Sequence, residues 1–227
     1  MSAILKMQLT NAPGVNEFPR VVFALQEERI LRYFSASGND LDRAFRYYLW
    51  NCALCESFHF SLHVAEIVCR NAIHRALIGR FGDKWFEHRL LLSLLDERYK
   101  NELASILNEE KLQHGNGVTG HHVVSSSTFG FWEHFATKRF ERLLWTKGIR
   151  SIFPNAPNDI RREDIQALIE SVRRWRNRIA HHRAIFDKGP MRKHQDALEL
   201  IKFVCADTYA WVTKASRVPM ALQLRPA

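Results

Sequence analysis

The densest chemistry in the sequence is the run Arg173-Arg174-Trp175-Arg176-Asn177-Arg178-Ile179-Ala180-His181-His182-Arg183. Seven arginines fall between Arg161 and Arg183. A guanidinium is a planar fork that matches phosphate oxygens two at a time. An imidazole is the side chain that gains and loses a proton near neutral pH. Together they hold a phosphodiester and move a proton beside it. Trp175 adds an indole, suited to stacking on a base or to packing in a core.

Helical geometry orders this run. With about 100° per residue and Val172 at zero, Ile165, Leu168, Val172, Trp175 and Ile179 form one apolar stripe. Arg176 falls about 40° away, on its edge. A guanidinium beside a buried seam needs a partner or a function, and its place in this run points to function. His181 lies about 140° around the helix from Arg176. The two converge only if the helix ends near His181, or if a second copy of the chain supplies the other half, as in a two-fold dimer. Asn177 and His181 share a face, and so do Arg178 and His182, so spacing alone leaves both histidines open as a base.

A second Arg-Asn pair, Arg70-Asn71, is followed by His74 and preceded by Glu66, four residues before Arg70. This orientation suits an Arg–Glu pair that locks helices together. Its alternative is a supporting layer for the Arg176 helix. Cys52, Cys55, His59 and His63 mimic a zinc ligand set. On one helix, however, they extend over roughly 16 Å, and zinc needs its ligands about 2.0–2.3 Å from one point. His121-His122 reads as exposed loop, and Phe129, Phe131, Trp132 and Phe135 as core. There is no glycine-rich phosphate loop, no Gly-x-Ser-x-Gly, no His-Glu-x-x-His and no carboxylate pair for two-metal chemistry. The expectation is no metal and no cofactor.

Arg176-Asn177-x-x-x-His181 resembles the R-N-x-x-x-H motif of the HEPN superfamily of helical ribonucleases. The chain also resembles the Abi-like family of abortive-infection proteins in Tyr48-Leu49-Trp50-Asn51, in Glu66 to Leu77, in Thr128-Phe129-Gly130-Phe131-Trp132 and in Arg176 to His182. These stretches span about Val21 to Trp211. Ser125-Ser126-Ser127 departs from the pattern. The resemblance implies a HEPN-like helical bundle and metal-independent RNA cleavage by a homodimer, in an anti-phage toxin. Carried onto this sequence, Arg176 and His181 would be catalytic and Asn177 would orient them, with His182, Glu66, Arg70 and Asn71 in support. Arg173, Arg174, Arg178 and Arg183 would bind RNA. The rival is a non-catalytic RNA-binding or interaction module of a defence or toxin–antitoxin system. An antitoxin protein or a small RNA is the partner expected to hold the toxin inactive.

The elements that position these residues read as helices throughout. The chain has 227 residues, enough for one large domain with its own core. Its 33 Lys and Arg against 24 Asp and Glu leave +9, which suits a polyanion, nucleic acid first. Asp40 to Ile78 holds no Gly or Pro and reads as one long helix or two. Further helices are expected over Leu90–Gln113, Phe131–Lys147 and Asp159–His182, and around Ala197–Trp211. Gly115–Gly130 reads as a loop with a brief extended piece at Val123-Val124, and Phe153–Asp159 as a linker. The expected class is all-α, with an arm over residues 1–20, a helical domain over 21–215 and a loose tail over 216–227. No apolar stretch is expected to reach the 18 residues of a membrane span, and residues 1–13 lack a leader pattern. With free cysteines at 52, 55, 69 and 205, this points to the cytoplasm.

Overall fold

With no Gly or Pro to interrupt it, the stretch after Asp40 folds as a single helix. Two shorter helices precede it, α1 (Phe18–Leu25) and α2 (Glu27–Ala36), and α3 itself covers Leu41–Phe81. The Asp40 carboxylate accepts the Arg43 N–H (2.9 Å) as its cap. Gly82, at φ +78°, closes its far end, while Gly79 lies inside it. The structure is a computed structural model that describes residues 11–226; the rest of the expected arm, with most of the stretch read for a leader, lies outside the described residues. After α3 come α4 (Arg89–Leu94), α5 (Glu97–His114), α6 (Gly120–Ser126), α7 (Phe129–His134), α8 (Glu141–Leu144), α9 (Arg162–Ala180), α10 (Pro190–Val204), α11 (Ala206–Ala215) and α12 (Val218–Gln223). The chain is all-α, and no strand occurs among the described residues.

Two expected helices are divided, each at a polar residue with extended backbone. Asp96 starts α5 with extended backbone and splits the Leu90–Gln113 block. Thr137, at ψ 160°, breaks the expected Phe131–Lys147 helix before α8, and Thr128, inside the expected loop, opens α7 by accepting the Phe131 N–H. The expected Gly115–Gly130 loop contains α6, and Val123 and Val124 are buried helical residues, not a strand. Thr119 caps α6 with His122, which is why the glycines and serines there do not unwind it. The tail is not loose: α12 buries Val218 and Ala221. By length and composition α3 meets the measure of a membrane span over an 18-residue window of mean hydropathy 1.2, contrary to the sequence reading. Half of that window is buried within the protein, as in a core helix.

The chain divides into two compact units. One comprises the described residues of Met1–Ser61, with Asn177–His194 and Ala215–Ala227. There Phe18 stacks on Phe45 beside Ile30, and Tyr33, Tyr47 and Trp50 surround Phe186. The Trp50 indole N–H donates to the Ala221 carbonyl (2.8 Å), tying α12 to α3. The other unit comprises Leu62–Arg176 and Gln195–Lys214. Its core is aromatic, with Trp85, Phe131, Trp132, Phe135 and Phe140 in edge or tilted contact. Gly120 is required there: a Cβ would sit 2.6 Å from both His74 Nε2 and Trp85 Nε1.

His74 is buried in this second core, and its Nε2 has no hydrogen-bond partner. Burial, reinforced by the nearby His121, pushes its pKa down to about 4. Burial also lowers the pKa of His134 and His194. The unfolded chain takes a proton at His74 below about pH 6.5, while the folded chain refuses it until about pH 4. Stability is therefore full above pH 6.5 and falls between 6.5 and 4, by up to about 3 kcal/mol from His74. Urea titrations at several pH values check this. A flat profile, or an unchanged slope in His74→Gln, refutes the assignment.

Candidate functional site

The sequence places its chemistry on α9, and the way α9 ends decides where that chemistry goes. Inside the helix Ile165, Ile169, Val172 and Trp175 are buried, at spacings of three and four. The helix stops at Ala180 in a Schellman-type closure. The Arg183 N–H donates to the Arg178 carbonyl (3.0 Å) and the His182 N–H to the Ile179 carbonyl (2.9 Å). His182 takes the left-handed position, at φ +53°, where glycine is most at ease. His181 caps the helix, its N–H on the Asn177 carbonyl (2.9 Å), and its side chain is exposed.

The segment after the cap is fastened within its own unit. Arg29 donates to the His182 carbonyl (2.8 Å), and Arg178 Nε to the Ala184 carbonyl (2.8 Å). Asn51 is buried on α3, and its Oδ1 accepts the N–H groups of Ile185 (2.7 Å) and Phe186 (3.2 Å). Arg32 grips the Asp187 carboxylate with two contacts of 2.8 and 2.6 Å. Asn51, Arg29 and Arg32 were missed as positioning residues. The only sequence hint was Asn51 within the Tyr48–Asn51 stretch.

In the other unit, α9 carries two ion pairs three residues apart. Arg173 holds Glu133 of α7 through both carboxylate oxygens. Arg176 Nε lies 3.3 Å from Glu66 of α3. Both carboxylates are mostly buried, with side chains 14% and 13% exposed. Their proximity raises the pKa of the fully buried Cys69 thiol, although burial itself is the larger cause. Gly130 lets Tyr99 and Arg173 close over this place, since a Cβ there would meet the Tyr99 hydroxyl at 3.3 Å. Glu102 secures the cap before it, accepting the Thr128 N–H (2.7 Å) and hydroxyl (3.1 Å).

Several expectations change here. Arg176 does not intrude on the apolar stripe; its side chain is 47% exposed and lies beside Glu66. Glu66 turns to Arg176 rather than to Arg70, whose Nε is buried without a hydrogen-bond partner. Asn71 is half-buried. Arg178 and His182 do not share a helix face, because His182 lies past the helix end. Of the arginines expected to bind RNA, Arg173 and Arg178 are engaged with Glu133 and the Ala184 carbonyl. Arg174 and Arg183 are exposed, Arg174 pairing only with Glu170 on its own helix.

Two groups bear on metal binding. Cys52, Cys55, His59 and His63 lie on the unbroken α3, and burial raises the Cys52 thiol and pushes Cys55 up to about 12, which opposes thiolate ligation. The donor atoms of Glu110, His114 and His122 lie within 4.8 Å of one another, a set able to hold a metal ion. Ser126 and Thr119 already hydrogen-bond two of its members. No family model matches the sequence, nor does any curated protein or solved structure.

The two kinds of contact separate in mutagenesis. Asn51→Leu strands the buried Ile185 N–H and the half-buried Phe186 N–H and is expected to cost about 1–3 kcal/mol in urea unfolding. Arg173→Ala leaves Glu133 buried and unpaired, at a cost of about 3 kcal/mol. Arg174→Ala should stay within about 0.5 kcal/mol. Equal losses for Arg173→Ala and Arg174→Ala would show that the Glu133 pair contributes nothing.

Proposed function

We propose that the chain is a metal-independent endoribonuclease of the HEPN type, working as a homodimer and serving as an abortive-infection toxin in the cytoplasm. The observation that carries this reading is the end of α9, where an exposed histidine caps the helix five residues after Arg176, in the order Arg-Asn-x-x-x-His. Because the His181 N–H still bonds the Asn177 carbonyl, the ~140° between Arg176 and His181 around the helix persists, and in this reading a second copy of the chain supplies the other half of the site.

In the proposed reaction His181 takes the proton from a ribose 2′-hydroxyl. The oxygen attacks the adjacent phosphorus, the P–O5′ bond breaks, and the leaving oxygen takes up a proton. The products are a 2′,3′-cyclic phosphate and a 5′-hydroxyl. Arg176 offsets the charge that builds on the phosphorane oxygens. Its ion pair with Glu66 holds the guanidinium in place until phosphate competes for it. Asn177 orients the pair, and Arg174 and Arg183 supply exposed contacts to the RNA backbone. His181 is preferred to His182 as the base because it stands at the histidine of the Arg-Asn-x-x-x-His order.

One observation favours a second reading, a non-catalytic RNA-binding or interaction module. Arg173 and Arg176 both neutralise mostly buried carboxylates, which is work a folded scaffold needs without any catalysis.

The deciding assay incubates the full chain with RNA in excess EDTA, beside His181→Ala, Arg176→Ala and His182→Gly. Cleavage should persist in EDTA and fall by about 10²–10⁴-fold in His181→Ala. His182→Gly should keep both activity and stability, because glycine relieves the left-handed strain. Binding of RNA without cleavage by the unmodified chain decides for the second reading.

A further inference from the structure

A cleft of about 810 Å³ opens along the later half of α3. Ala72, Ala76 and Gly79, three and four residues apart, give it a low floor on one helix face. Arg75, Arg80, Lys147 and His88 line it, and no Asp or Glu does. The two arginines and the lysine are exposed, and none of them forms an ion pair among the described residues. Cations gathered around a concavity repel one another and focus their field into it, a cost that a bound anion offsets. The Phe81 and His88 rings stand 4.4 Å apart, and the Arg80 guanidinium lies 5.7 Å from the Phe81 centroid. Cationic heads beside an aromatic wall match a phosphate joined to a flat base. The volume lies within the roughly 300–1,000 Å³ usual for small-ligand sites.

We propose that this cleft binds a nucleotide unit. Arg75, Arg80 and Lys147 take its phosphate, and its base lies against Phe81 and His88. The chemistry is the same for a free nucleotide and for one unit of a single strand of RNA. An acidic peptide leaves the aromatic wall unused, and a flat lipid surface does not enter the concavity. The cleft includes none of Arg176, Asn177 or His181, so its occupancy does not depend on cleavage.

Gly79 offers a clean test, because a Cβ there meets nothing within 4 Å. Gly79→Leu adds a side chain to the floor from that open Cβ position, and leucine favours the helix over glycine. The full chain is titrated by calorimetry with adenosine monophosphate, with adenosine, and with a 2′-O-methyl oligoribonucleotide that 2′-hydroxyl attack cannot cut. Adenosine monophosphate or the oligomer should bind, and adenosine at least tenfold more weakly than either ligand that binds. Gly79→Leu and Arg80→Glu should each weaken binding at least tenfold with unchanged circular dichroism, and the exposed Arg75→Gln should weaken it without unfolding risk. Binding of the mononucleotide identifies the free ligand, and binding of the oligomer alone identifies the strand. The proposal is overturned if neither binds, if adenosine binds as tightly as its phosphate, or if the variants bind like the unmodified chain.

Discussion

Two carboxylates held mostly out of water set the terms for α9. An ionised Glu66 or Glu133 is costly to bury unless a cation meets it. Both cations come from one helix, three residues apart, so satisfying the carboxylates also fixes the rotation of α9 about its axis. With that rotation set, Ile165, Ile169 and Val172 face inward and Arg174 faces water. A lysine at either position would supply charge but not the planar fork that Arg173 uses on Glu133. The arginine density that reads as an RNA signature is therefore partly a structural necessity. On the same helix Arg173 and Arg176 meet carboxylates of other helices, while Arg174 faces water and pairs with Glu170 of its own helix.

The end of the helix follows a different logic. No glycine is available where α9 must stop, and His182 takes the left-handed position that glycine usually fills. That choice carries strain, and the neighbouring contacts hold it. The carbonyl of His182 is bound by Arg29, and the chain just beyond is gripped by Asn51 and Arg32. A strained closure held by four separate side-chain contacts, with Arg178 the fourth, is over-determined for the sole purpose of ending a helix. It fixes the backbone just after His181, whose side chain is exposed.

Much of the fold was legible. The all-α class follows from helical periodicity and from the placing of Gly and Pro, whereas one helix or two after Asp40, and a stop at Gly79 or Gly82, were left open by the sequence and settled by packing as one helix that ends at Gly82. The divisions at Asp96 and Thr137 are not legible in sequence, because one residue with extended backbone competes with helical periodicity only weakly in the pattern. The Gly115–Gly130 stretch misled in the opposite direction: Thr119 and His122 cap α6, and buried valines hold it against core aromatics. In the site, Arg176, Asn177 and His181 stood out by spacing. Glu133 and Asn51 did not, since each acts on a segment far away in sequence: Glu133 on Arg173, forty residues on, and Asn51 on Ile185, 134 residues on. Pairings of that kind are set by packing, and no local pattern encodes them.

The excess of nine positive charges gains a different meaning once its members are placed. Arg162 donates to the Ala136 carbonyl and Glu163, Arg173 is spent on Glu133, and Arg178 on a carbonyl. These arginines add to the net charge without offering it to a ligand. Accessible charge is found at exposed positions off α9, among them Arg75, Arg80 and Lys147 around the cleft and Arg183 past the end of α9. Association with a polyanion depends on that accessible part, because a paired guanidinium releases no counterion from a phosphate. The salt dependence of binding to any polyanion should thus follow the exposed, unpaired cations and not the arginine count of α9.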